Sequence, residues 1–208
     1  MSQARQQARN NDSYFDLRPS NSALLVIDMQ NGFLEPGALL EVPAGRAIIP
    51  GLRSLIEHCR KRSMPVVWIQ LDSRRPYGGV LLEKYPALEQ QQVLFKGTKS
   101  FELFDEMPKP LDNEFNIIKH KYDSFHGTNL DILLRNLDVE NVIITGVTSN
   151  CCCESTARSA FEHNYGVIFA SDATAAFDKT LHKNTLASIR ELFGSVMSVR
   201  EILSKLDE

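Results

Sequence analysis

The 208-residue chain has no long hydrophobic run; the longest are four or five residues, as at Ala23–Ile27. A membrane-spanning helix needs about 20 apolar residues, so that class is excluded. There is no basic excess either. Lys and Arg number 23 against 26 Asp and Glu, a net charge of −3, and nothing in that balance recruits nucleic acid or an anionic lipid surface. The phosphate-cradling patterns G-x-G-x-x-G and G-x-x-x-x-G-K-[ST] are absent, which argues against a nucleotide-binding domain. Cysteine is scarce: Cys59, Cys151, Cys152 and Cys153. Three consecutive cysteines cannot make a spaced disulfide framework. The polar start MSQARQQARNND lacks a signal-like apolar stretch. Both features predict free thiols in a reducing cytoplasm.

What is present fits one globular domain, with 43% hydrophobic and 24% charged residues. Short apolar runs without alternation recur at Ser22–Asp28, Pro65–Gln70, Phe115–Lys119, Val142–Gly146 and Val167–Ser171, with a weaker one at Ser195–Val199. Such runs suit strands covered on both faces. Helical spacing lies between them, at Ala47–Arg62, Leu130–Leu137, Glu154–His163, Leu181–Phe193 and Glu201–Leu206. The alternation predicts an α/β fold: a single doubly wound, mostly parallel six-stranded sheet with helices on both faces. Residues 1–20 read as a mobile arm and 21–208 as the domain. Within it, 72–110 is rich in Pro and Gly without a strong period, an excursion suited to a lid or a subunit contact.

Open parallel sheets bind ligands beyond the carboxyl ends of their strands. Asp28, Lys119 and the cysteine run following Gly146 all fall there. A thiol of ordinary pKa about 8.5 needs help to ionise, and a carboxylate can take its proton and return it to a leaving group. Each residue also has a plain reading, as a turn cap, a strand end or a small core side chain.

The local sequences narrow this. L-L-V-I-D-M-Q-N-G-F (Leu24–Phe33), K-H-K-Y-D-S-F-H-G-T (Lys119–Thr128), G-V-T-S-N-C-C-C-E-S-T-A-R (Gly146–Arg158) and S-D-A-T-A (Ser171–Ala175) resemble, in order and spacing, the signatures of isochorismatase-like cysteine hydrolases. The resemblance covers about residues 20–200. It implies Asp28 as general acid/base, Lys119 rather than Lys121 as the partner lysine, and Cys152 as nucleophile. It also implies a cis peptide at Val147–Thr148 and an oxyanion hole from the N–H groups of Thr148 and Cys152. A cysteine at the nucleophile position favours hydrolysis of the C–N bond of a small amide, ureide or N-carbamoyl compound through a thioester. Vinyl-ether hydrolysis of an isochorismate-like molecule is the alternative within the family. A non-enzymatic redox-sensing or binding module built on Cys151–Cys153 is the alternative outside it.

Nicotinamidases in this family carry metal-binding histidines in a D-x-H…H arrangement. Here Leu71–Gly79 reads L-D-S-R-R-P-Y-G-G, with Asp72 and no histidine. No metal and no cofactor are therefore expected, and nicotinamidase is disfavoured. Phe33, Trp68 and His126 are candidate substrate contacts, and Arg74 and Arg75 could meet a substrate carboxylate or stay solvated. His58, His163 and His182 read as surface or packing residues. Cys59, Cys151 and Cys153 read as packing, the last two with a redox role as the alternative. The family commonly forms dimers and tetramers, so a homodimer or homotetramer is expected.

Overall fold

The computed structural model describes residues 15–208. The chain runs β1 (Ser22–Ile27), α1 (Asn31–Leu34), α2 (Pro43–Ala47), α3 (Ile49–Lys61) and β2 (Val66–Leu71). Two short helices follow, α4 (Val80–Lys84) and α5 (Pro86–Gln90), then β3 (Phe115–Lys119), α6 (Leu130–Asn136) and β4 (Asn141–Val147). The last part holds α7 (Glu154–Glu162), β5 (Gly166–Ala175), α8 (Lys179–Leu192), β6 (Ser195–Met197) and α9 (Val199–Leu206).

The six strands form one sheet in the order β3-β2-β1-β4-β5-β6, and every pairing is parallel. The order reverses between β1 and β4, so helices cover both faces. Along β1, Leu24 and Val26 face Leu52, Leu55 and Ile56 of α3 and Ile202 of α9. Ala23, Leu25 and Ile27 face Leu134 of α6, Ala157 of α7 and Ile189 of α8. All six β1 residues are buried, because neither face of the sheet meets water. Cys59 of α3 is core, and burial pushes its thiol up to about 12.

Capping sets two helix starts earlier than periodicity does. Asp178 accepts the N–H groups of Thr180 and Leu181, so α8 begins at Lys179. Ser198 and Glu201 form a reciprocal capping box that starts α9 at Val199. Gly146 has φ +106, and a Cβ there would stand 2.0 Å from the Ile27 carbonyl oxygen. Glycine lets β4 close on β1 where both strands end.

The expected arm needs correction. Residues 1–14 of the expected arm lie outside the described residues. Residues 15–20 are not a loose extension: Leu17 is buried in the core, and the Asp16 carbonyl accepts from the side-chain amides of Asn21 and Asn141. The excursion at 72–110 is a folded layer, with Leu82, Leu88, Leu94 and Phe104 buried in the same core as α3. Its helices are five residues each, too short to leave a readable period. Among the described residues no helix is long and apolar enough to cross a membrane.

Candidate active site

Asp28 is the first residue beyond β1, with φ 54. Aspartate tolerates this left-handed backbone better than most residues. Its N–H donates to the Ile69 carbonyl (2.8 Å), and its own carbonyl accepts from Gln30 (2.8 Å). Lys119 is the last residue of β3, two strands away. Neighbouring strands lie about 4.8 Å apart, so only a long side chain crosses the end of β2 to reach Asp28. Lys119 Nζ sits 2.8 Å from Asp28 Oδ2, and both side chains are 0% exposed. The ammonium also donates to the Lys121 carbonyl at 3.2 Å.

Gln30 fixes the strand ends beside this pair. Its amide nitrogen donates to the carbonyls of Leu71 and Phe101, and its amide oxygen accepts from Leu71 N–H. One buried side chain thus joins β1, β2 and the excursion. Sequence reasoning missed it, since a lone glutamine after a strand carries no pattern.

The third element follows β4. The Val147–Thr148 peptide is cis, and Ser149–Cys153 form one π-helical turn leading into α7. The N–H groups of Cys151 and Cys153 both donate to the Thr148 carbonyl (3.1 Å each). Cys152 and Cys153 are buried, while Cys151 is partly exposed. His182, expected as surface or packing, instead braces this turn. Its Nδ1 lies 3.0 Å from Ser149 Oγ, and its Nε2 lies 3.1 Å from the Ser171 carbonyl oxygen, at which it donates.

The electrostatics tie the three elements together. Burial raises the Asp28 carboxyl above its ordinary range, against Lys119 and the hydrogen-bonding Cys152 thiol, which hold it down. Burial opposes charge on Lys119, but Asp28 and Cys152 outweigh it and hold the ammonium protonated. The Cys152 thiol is pushed well up by its hydrogen bond with Cys151, by burial and by the Asp28 charge. Cys151 is lowered by the same hydrogen bond. The Cys152 thiol thus stands beside an Asp28 carboxyl more basic than an ordinary aspartate's.

A pocket of about 340 Å³ opens over Cys151 and Cys152. Phe33 lines it. Trp68 does not: it faces the α3 core from the middle of β2, wholly buried, with Nε1 donating to Glu114 (2.8 Å). His126 does not either; it is exposed on the loop after β3, where Ser124 and Phe125 take the buried positions. In their place stand Tyr122, Leu81, Tyr85 and Phe177. Burial, with Cys151 and Tyr85 nearby, pushes the Tyr122 hydroxyl up to about 12. Arg74 pairs with Asp72 at 2.8 Å and Arg75 pairs with Glu89, and neither lines the pocket.

The residues at the position of the nicotinamidase metal do not fit one. The Asp72 carboxylate is held by the Arg74 guanidinium and by the N–H groups of Arg74 and Lys96. His120 is turned to the Asp72 carbonyl oxygen. Among the described residues no three His, Cys, Asp or Glu side chains converge to hold an ion.

The isochorismatase domain model matches residues 22–201. Over 175 residues the chain is 31% identical to a protein of Arabidopsis thaliana described as a probable inactive nicotinamidase, covering 83% of this chain and 89% of that one. A cysteine hydrolase from Pseudomonas syringae pv. phaseolicola superposes with TM-score 0.88 at 27% identity, covering 93% of this chain and 95% of that one. An N-carbamoylsarcosine amidase from Thermoplasma acidophilum superposes with TM-score 0.72 at 28% identity, covering 86% and 96%.

Proposed function

This chain belongs to the isochorismatase family, and we propose that it is a cysteine-dependent hydrolase of a C–N bond in a small amide or ureide. The observation that carries this reading is the buried Lys119–Asp28 pair beside the Cys152 thiol, beneath a pocket large enough for a small molecule. Asp28 takes the thiol proton as Cys152 attacks the substrate carbonyl carbon. The N–H groups of Thr148 and Cys152 receive the developing oxyanion. The C–N bond breaks as Asp28 passes its proton to the leaving nitrogen, and ammonia or an amine departs. Water then adds to the thioester with Asp28 as base, the C–S bond breaks, and the thiol regains its proton. Lys119 holds Asp28 in place and offsets its charge. The amidase among the similar structures supports this class. One relative is described as inactive; the presence of Asp28, Lys119 and Cys152 here favours activity.

The direct test is intact-mass spectrometry of acid-quenched enzyme within the first turnovers. An adduct equal to the acyl group, mapping to the peptide containing Cys152, is expected. Turnover with no covalent species and full resistance to thiol alkylation would refute the mechanism.

The acid limb of kcat/KM has a definite sign. It reports the free enzyme's base, and Asp28 must be ionised to accept the proton. Activity therefore disappears as pH falls through the raised Asp28 pKa. The limb should lie above 3.8, the unperturbed carboxyl value. A limb at or below that value would remove Asp28 as the base.

A further inference from the structure

The four thiols differ in what can reach them. Cys59 lies in the core beneath α3, and Cys153 is buried with its sulfur 3.8 Å from the Thr145 carbonyl oxygen. Cys152 is buried at the pocket floor. Cys151 is the one partly exposed thiol of the four, and it lines the same pocket. The hydrolytic steps use Cys152 and give Cys151 no task. Its ionisation is the easiest of the run. The neighbouring Cys152 thiol, then the Lys119 ammonium, lower Cys151. Contact with Cys151 and burial push Cys152 well up, and burial pushes Cys153 well up. Bonding within the run is closed off by geometry. Consecutive Cα atoms stand about 3.8 Å apart across a trans peptide, whereas a disulfide usually needs about 4.4 Å or more. A disulfide partner for Cys151 must therefore come from outside the chain.

We propose that Cys151 is a modification site that exchanges with low-molecular-weight disulfides of the glutathione type, and that the mixed disulfide fills the pocket over Cys152. The site itself goes beyond the hydrolase reading; only its consequence, reversible blocking of turnover, rests on that reading. The Cys151 thiol gives its proton to water, and the thiolate attacks one sulfur of the small disulfide. The S–S bond of the small disulfide breaks and a new S–S bond to Cys151 forms. The other half leaves as a thiolate and takes a proton from water. Cys151 is oxidised as the small disulfide is reduced, and excess small thiol runs the exchange backwards. The lining suits a peptide thiol. The Lys84 ammonium, the Tyr85 and Tyr122 hydroxyls and the Asn150 side chain belong to the same pocket, and they offer partners to carboxylate and amide groups. Its volume of about 340 Å³ lies directly over both thiols, so a group held on Cys151 stands between Cys152 and solvent.

The test is incubation of the reduced full chain with glutathione disulfide, followed by intact-mass and fragment-ion mapping. One glutathionyl group per chain is expected, on Cys151 and removed by dithiothreitol. Cys151→Ser should take up glutathione at least about tenfold more slowly, because the remaining thiols are less ionised and less accessible. No uptake, uptake first on another cysteine, or equal uptake by Cys151→Ser would overturn the site. Pocket closure is read from iodoacetamide labelling of Cys152, comparing the glutathione adduct with untreated Cys151→Ser. Labelling should be at least about tenfold slower in the adduct. Equal rates would overturn the closure, and so would no labelling in either protein, since Cys152 would then be out of reach without any adduct. None of these readings uses turnover, so failure of the hydrolase reading is registered separately, by the missing acyl adduct on Cys152.

Discussion

Replacing Cys152 with alanine should lower ammonia release by at least about a thousandfold, the scale of losing a covalent nucleophile, while Cys151→Ala and Cys153→Ala keep most of the activity. Three adjacent thiols make this a demanding comparison. Cys153 is buried, with its sulfur 3.8 Å from the Thr145 carbonyl oxygen, turned into the sheet. Cys151 faces the pocket, and its thiol is the more acidic. Acidity favours ionisation, but a nucleophile here also needs a base, and it is Cys152 that bears on both the Asp28 carboxyl and the Lys119 ammonium. Rates for the three variants, each checked for folding by circular dichroism, decide between them. If Cys151→Ala is the silent variant and Cys152→Ala is active, the nucleophile is Cys151.

Asp28→Asn should remove activity and also destabilise the fold by about 3–5 kcal/mol, because it strands a buried ammonium. Asparagine is chosen because it accepts the left-handed backbone at position 28, so strain does not confuse the result. With the carboxylate gone, the Lys119 ammonium keeps only the Lys121 carbonyl. Adding Lys119→Met should therefore restore part of the lost stability and none of the activity. Urea unfolding of the three proteins, with ammonia release beside it, reads both effects. If Asp28→Asn unfolds at the same urea concentration as the parent, the pair is not charged in the fold. The double variant also separates purposes, since apolar replacements of buried ion pairs are often neutral for stability. Stability regained without activity would mark this pair as kept for chemistry.

How far the site could be read in advance differs from residue to residue. Asp28, Lys119 and the thiol run sit at the carboxyl ends of strands, and a parallel sheet gathers those ends whatever the loops do. Phe33, six residues past Ile27, also reaches the pocket. Trp68 failed because a strand has two faces, and the facing core, not the residue type, sets which one carries the aromatic. His126 failed because loop length says nothing about where a side chain points. Gln30, Tyr122 and the bracing role of His182 went unseen for a related reason: each acts on a partner about thirty residues away or more, and no local spacing records it.

Read along the chain, short stretches suffice to show that there are no long apolar runs, that six apolar strand segments alternate with helical ones, and that an acid, a lysine and a thiol fall at strand ends. Those are properties of short stretches, where hydrophobic period and residue type suffice. Tertiary structure alone decided that Lys119 spans β2 to reach Asp28, that the excursion is a folded wall, and that this wall is apolar. Each of those depends on which distant surfaces meet, and burial energy is shared among residues that the chain brings together only on folding.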